Sequence, residues 1–309
     1  MKFETEINFQ SNTWNRDAWA RIQADLNSEK ESICYTTGTI LGVTPGQAVK
    51  ELCGFETFLC TRLMPAAEDG SIRRLNKEVI FYTDPRSGQM IDQWTNPYTE
   101  EVVDVVHVAN DPFNYTISEW LILAPEDFKT GEKAEPRKIP LIFPWKRSGD
   151  VITLSTDMHL YYPNPLQPDK WVRESSGKMA RVSEMMRYFV SAKDLENPEL
   201  TSVNYTGTWN RITPWLPWML MGDTPGHCLY MSTMLKSDSI EIIPEHVREF
   251  SEERYPGMLS APTEDYGPSI SSLEYYARQQ TPAPVKLSLI HISEPTRRTP
   301  ISYAVFCLK

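Results

Sequence analysis

The sequence predicts a mainly β protein: a single antiparallel meander closed into a barrel, with a few peripheral helices. Three observations carry that expectation. From Ile33 to Leu235 the chain is a series of short runs rich in Val, Ile, Thr, Tyr and Phe, the residue types that suit a pleated, half-buried surface. Turn formers punctuate these runs at Pro45-Gly46, Asp69-Gly70, Asp84-Pro85-Arg86-Ser87-Gly88, Asn96-Pro97 and Ser148-Gly149-Asp150. Helical spacing is absent between most of the runs, and strands without crossover helices build a barrel or a sandwich, of which the barrel also removes exposed edges.

Element by element, Trp14, Ala18, Ile22 and Leu26 recur every fourth position behind Asn12 or Thr13 as a cap, which predicts an N-terminal helix with one apolar stripe. Strands are expected near 33–41, 52–64, 71–82, 89–95, 102–108, 139–144, 151–162, 203–212 and 227–235. Met179, Val182, Met186, Phe189 and Val190 follow helical spacing, so a helix from Met179 to Ala192 is expected to cover one opening or flank of the barrel. A further short helix should begin at Pro244 and run through Val247 and Phe250 until Pro256-Gly257 stops it. Ala124 to Pro136 is polar and flanked by proline, and reads as an exposed loop. The texture is uniform enough to read residues 1–286 as one barrel-like domain with an N-terminal helix, since β domains often exceed 200 residues.

Residues 287–309 stand apart. LSLIHISEPTR followed by ISYAVFCLK matches the in-frame translation of a sequencing-library adapter, with Arg298, Thr299 and Pro300 in the place of the variable index. The segment is therefore read as a non-native tail and left out of fold and site reasoning. On this reading the gene fragment stops near Lys286.

Composition excludes several classes of function. There are 31 Lys and Arg against 41 Asp and Glu, a formal charge of -10, which disfavours nucleic acid and anionic membrane partners. The first twenty residues hold charges and no apolar run, so no secretory signal is expected. No uncharged apolar stretch approaches the ~20 residues of a membrane span, and a soluble, cytoplasmic protein is expected. Outside the tail, Cys34, Cys53, Cys60 and Cys228 form no CxxC and no Cys/His cluster, which predicts free thiols in strands and no metal site. No GxGxxG, phosphate-binding loop, GxSxG or HExxH is present, so no cofactor is expected.

What remains is a set of polar residues among aromatics. From Val151 to Tyr162, Ile152, Leu154, Met158 and Leu160 point one way and Thr153, Ser155, Asp157, His159 and Tyr161 the other; the polar face is either simply wet or lines a cavity. His107 shares a strand face with Val103 and Val105 and stands four residues before Asp111. It is either a satisfied core histidine or a base oriented by that carboxylate. Trp209 to Asp223 concentrates Trp209, Trp215, Trp218, Met219 and Met221, and forms either a core plug or, with Trp94, the wall of a hydrophobic pocket. Arg211 would anchor an anion or a carbonyl if it points inward, and would otherwise make a surface ion pair. Taken together these residues predict a calycin-like barrel that binds a hydrophobic small molecule, polycyclic or isoprenoid. The alternative is a cofactor-free enzyme performing proton transfer of the isomerase or dehydratase type, with His159 or His107 as base, Asp157 or Asp111 as orienter, and Arg211 or Tyr161 stabilising an oxyanion. A solid interior would favour a structural or interaction protein.

Several segments resemble the bacterial and fungal family of unknown function catalogued as DUF1838. They are Gly54-Phe55-Glu56, the block Glu78 to Tyr82 followed by Asp84-Pro85 and Gly88, Trp94-Thr95-Asn96-Pro97, Val108 to Asn114, Trp215-Leu216-Pro217-Trp218-Met219, and Met221-Gly222-Asp223 with Pro225-Gly226. Glu100 departs from the family pattern, which has Gly there. The resemblance implies a single domain from about Ile33 to Tyr276, and no activity, cofactor or catalytic residue. If the tail is foreign, ending the chain at Lys286 leaves the thermal midpoint within about 2 °C of that of the full chain; a larger drop in a melting experiment would make the tail part of the fold.

Overall fold

The computed structural model describes residues 3–109, 114–123, 135–265 and 270–285. Helix α1 (Asn12–Gln23) begins where the Ser11 hydroxyl accepts from the Trp14 N–H, an N-cap interaction. Three long strands follow, β1 (Ser32–Val43), β2 (Lys50–Leu63) and β3 (Ile72–Thr83). Short strands come next: β4 (Gln93–Thr95), β5 (Val102–Asp104), β6 (Val108–Ala109), β7 (Tyr115–Ile117), β8 (Trp120–Leu123), β9 (Arg137–Pro140) and β10 (Lys146–Ser148). The second half holds β11 (Val151–Pro163), β12 (Met179–Ser191), α2 (Ala192–Glu196), β13 (Tyr205–Thr213), β14 (His227–Ser237), α3 (Glu245–Arg254) and α4 (Ser272–Gln279). The expected turns carry their glycines at positive φ, among them Gly46 at 72°, Gly70 at 78° and Gly149 at 63°.

One ten-stranded antiparallel sheet dominates, in the order β10-β11-β12-β13-β14-β1-β2-β3, with β6 and β7 both on the far side of β3. The protein is thus mainly β, with few helices. Among the described residues no ladder joins β10 to β6 or β7, so strand pairing leaves the expected barrel open. The reason is local: the terminal strands β10, β6 and β7 are only two or three residues long, too short to close a seam. Packing ties the ends instead. Ala20 and Ala24 on and after α1 pack with Leu63, Ile72 and Ile117 at the β2-β3-β7 end, while Trp14, Ala18 and Ile22 pack with Trp145, Ile152, Leu154, Tyr188 and Val190 at the β10-β12 end. The Leu141 N–H donates to the Glu119 carbonyl at 2.8 Å, joining the segments that lead out of β7 and into β10.

The expected helix from Met179 to Ala192 is instead β12. It pairs along its whole length with β11 and over most of it with β13. Ala180, Val182, Met186, Tyr188 and Val190 alternate inward, and the apolar residues on both faces happened to satisfy helical spacing as well. Tertiary pairing decides between the two periods. Most of the loop expected at Ala124 to Pro136, and the tail at 287–309, lie outside the described residues.

The face covered by α1 is the inner face. The outer face of β1-β3 is covered by Ile243 and Val247 of the α3 region, packed on Ile33, Tyr35, Phe58, Cys60, Val79 and Phe81. Cys53, Cys60 and Cys228 are fully buried free thiols, and Cys34 is half-buried. Burial raises the Cys34 and Cys53 thiols and pushes those of Cys60 and Cys228 up to about 12.

Register places residues of the inner face in rows that run across the strands. One row reads Thr156, Met186, Trp209, Ser232, Gly38, Phe55 and Tyr82. Ser232 and Gly38 are small, so the rings of Trp209 and Phe55 lean over them and meet edge to face, centroids 5.8 Å apart. Strands lie about 4.8 Å apart, and contact between side chains three strands apart requires a strongly curled sheet. A Cβ at Gly38 would lie 2.2 Å from the Met231 carbonyl oxygen and 2.6 Å from Ser232 Cβ. Gly38→Ala is therefore expected to destabilise the fold by about 1–3 kcal/mol in urea unfolding, and a loss below about 0.5 kcal/mol would show that β14 can yield there.

Candidate functional site

The neighbouring inner row reads Met158, Glu184, Arg211, Tyr230, Ile40 and Cys53. It puts a carboxylate, a guanidinium and a phenol side by side on three adjacent strands. Glu184 Oε1 lies 3.5 Å from Arg211 Nε, with the side chains 17% and 13% exposed. Glu184 Oε2 accepts from the Trp209 indole N–H at 3.1 Å, a diagonal reach typical of antiparallel neighbours. The Arg211 guanidinium sits over the Tyr230 ring, 5.9 Å from its centroid. The Tyr230 phenol lies near that of Tyr82, two strands beyond its neighbour β1, and burial holds both well above the ordinary tyrosine range. Both are therefore neutral donors at physiological pH. The half-buried Trp209 and the two partly exposed charged side chains form the accessible edge of this cluster; Tyr82 and Tyr230 form its buried floor.

The remaining members of the Trp/Met-rich stretch take the plug position. Trp94, Trp215, Trp218, Met219 and Met221 are all buried in one cluster with Val103, Leu166 and Trp171. Two of their indoles are occupied: Trp94 donates to the Leu52 carbonyl and Trp215 to the Thr224 carbonyl, each at 2.9 Å, while Trp218 packs its ring on Tyr82 and Trp94 and its buried Nε1 has no hydrogen-bond partner among the described residues. A void of about 20 Å³ lies against Trp215, Trp218, Tyr82 and Tyr276, room for about one water and too little for an organic ligand. Asn96 holds the plug in place. Its amide donates to the Met219 carbonyl at 2.9 Å while its oxygen accepts the Tyr98 and Thr99 N–H groups, so the Trp94-to-Pro97 and Trp215-to-Met219 motifs meet in space. Glu100 in the same turn adopts φ 59°, the left-handed region that favours glycine.

The expected histidine sites do not converge. His159 Nε2 lies 2.9 Å from Asp157 Oδ2, but the pair is on the outer face, with side chains 62% and 67% exposed. Tyr161, on the same face, lies under the Arg181 guanidinium. His107 is buried between Tyr82, Phe81 and Phe250. Its Nδ1 accepts from the Tyr82 N–H at 3.0 Å, which puts the imidazole proton on Nε2. Asp111, its expected orienter, lies outside the described residues. Of the residues singled out from the sequence, Trp209 and Arg211 come together, with Trp218 behind Tyr82. Glu184, Tyr82 and Tyr230 were missed. The signal for Glu184 was its phase: it alternates with Val182 and Met186 once the segment is read as a strand.

These features define an antiparallel sheet protein with a charged and aromatic cluster on its inner face. The chain belongs to the family described as protein of unknown function (DUF1838), whose model matches residues 29–280. A comparison with curated proteins finds no match. Among the described residues no group of three or more His, Cys, Asp and Glu is placed to hold a metal ion, and no helix is long and apolar enough to cross a membrane.

Burial pushes the His107 imidazole down to about 4 from its ordinary 6.5. The unfolded chain then binds a proton that the folded one refuses between these values. The neutral ring contributes stability fully above pH 6.5, and that contribution is lost as pH falls towards 4, about 3 kcal/mol in all. His107→Gln keeps an acceptor for the Tyr82 N–H and lacks this titration. Urea unfolding of the variant should lose about 3 kcal/mol less than the wild type between pH 7 and pH 4; equal acid slopes would contradict this account.

Proposed function

We propose that the protein binds a small hydrophobic molecule with a polar head on the inner face of the sheet, beside Trp209. The observation that carries this reading is the Glu184–Arg211 pair, partly accessible in a face otherwise covered by aromatics. An ion pair placed only for stability gains little there, because desolvation offsets most of the Coulomb attraction. Beside a flat indole it supplies what a ligand site needs: an apolar wall and a few fixed polar groups. Met158 and Met186, both half-buried, flank Glu184 and Trp209 in their rows and adapt to an irregular ligand shape. A polycyclic or isoprenoid body with an acidic or carbonyl oxygen fits these features: the rings stack on Trp209 and the oxygen meets Arg211. The buried Trp94, Trp215, Trp218, Met219 and Met221 support the wall from behind.

Anilinonaphthalene sulfonate, a fused aromatic with an anionic head, is a suitable probe. Fluorescence titration should show saturable binding to the full chain. Trp209→Leu and Arg211→Met should each weaken it at least about tenfold, equivalent to about 1.4 kcal/mol, with Trp215→Phe unchanged. Superimposable titrations for the wild type and both inner-face variants would overturn the reading.

A further inference from the structure

We propose that this inner-face cluster catalyses proton transfer next to a carbonyl, with Glu184 as the general base. The inference rests on the small-molecule reading above and adds an activity to it. Glu184 is the inward carboxylate nearest Trp209, and its two oxygens are held differently. Oε2 is fixed by the Trp209 indole N–H at 3.1 Å, while Oε1 lies 3.5 Å from Arg211 Nε, an ion contact longer than a hydrogen bond. The carboxylate is therefore oriented, with one oxygen still able to take a proton. The guanidinium stands on the adjacent strand at the same level, where an oxygen of a molecule stacked on Trp209 would develop charge.

The step balances without an oxidant or a cofactor. Glu184 removes a proton from the carbon next to a carbonyl. The electron pair of that C–H bond becomes the new C=C bond, and the carbonyl π pair moves to oxygen, where Arg211 stabilises the enolate. Return of the proton from the Glu184 carboxyl group to a different carbon gives an isomer. The substrate class is thus a largely apolar unsaturated ketone, whose extended enolate offers that second carbon. Arg211 is in turn backed by the Tyr230 ring, which helps keep its charge on the inner face. The exposed His159–Asp157 pair takes no part.

The test uses the full chain and 5-nitrobenzisoxazole, a small planar substrate. Removal of its ring C–H proton forms a nitrile, breaks the N–O bond and releases a coloured nitrophenolate. Glu184→Gln should lower kcat/KM at least about 100-fold, the scale of general-base catalysis, while saturable binding of anilinonaphthalene sulfonate persists. Glu184→Asp should recover part of the rate, and His159→Gln should keep all of it. If the sulfonate probe binds as expected but wild type and Glu184→Gln turn over equally, the catalytic proposal fails and the binding reading stands. If the probe does not bind at the inner face at all, both fall together.

Discussion

The inner face exists because an open sheet is held curled, and the constraint that holds it is α1. The helix is pinned at its C-terminal half by two buried cations. Arg21 is fully buried and donates to the carbonyls of Leu195, Leu200, Asp194 and Asn197 in the β12-β13 connection. Lys236 on β14 reaches the Arg21 and Val203 carbonyls and the Ser202 hydroxyl. Burial is expensive for both, and lowers Arg21 to about 10 and Lys236 to about 8, so they persist only because carbonyl oxygens replace the lost water. On the other side, Arg16 pairs with Asp17 and with Glu119, which leads from β7 into β8. One short helix thus fixes the distance between the two ends of the sheet.

Curvature then converts register into proximity. Glu184, Arg211 and Tyr230 are remote in sequence, yet the ladder puts them in one row, and a slip of one residue in β12 would turn Glu184 to solvent. The small residues Ser232 and Gly38 let Trp209 and Phe55 close over the middle of the sheet. Tyr82 and Tyr230 meet for the same reason, with β1 and β2 between their strands.

Much of this was legible in the chain. The long strands, the Trp14 helix and the Gly turns followed from alternation, fourfold spacing and backbone chemistry, each a local property. Closure was not legible, because it depends on whether strands at opposite ends of the chain are long enough to pair. β12 was misread because Met179, Val182, Met186, Phe189 and Val190 satisfy both periods, and because Glu184 sits at an inward position where alternation expects an apolar residue. The same break in pattern hid the strand and marks the candidate site, as is common where function overrides packing. Trp209 and Arg211 could be singled out by composition, but their partner could be found only once three strands were laid side by side. His159 and Asp157 do meet, and nothing in their spacing distinguished the wet face from the inner one.

The four thiols among the described residues give the molecule a further property. Cys53, Cys60 and Cys228 are wholly enclosed and Cys34 is half-buried, and burial suppresses ionisation at each of them. The thiolate is the reactive form, so the native sheet shields the three enclosed thiols from alkylation and oxidation, and modification there waits for strands to part. Damage would therefore accumulate in molecules that have already opened, and would bar them from refolding around a bulkier, charged or bridged sulfur. For this chain, conformational opening and chemical ageing are the same clock.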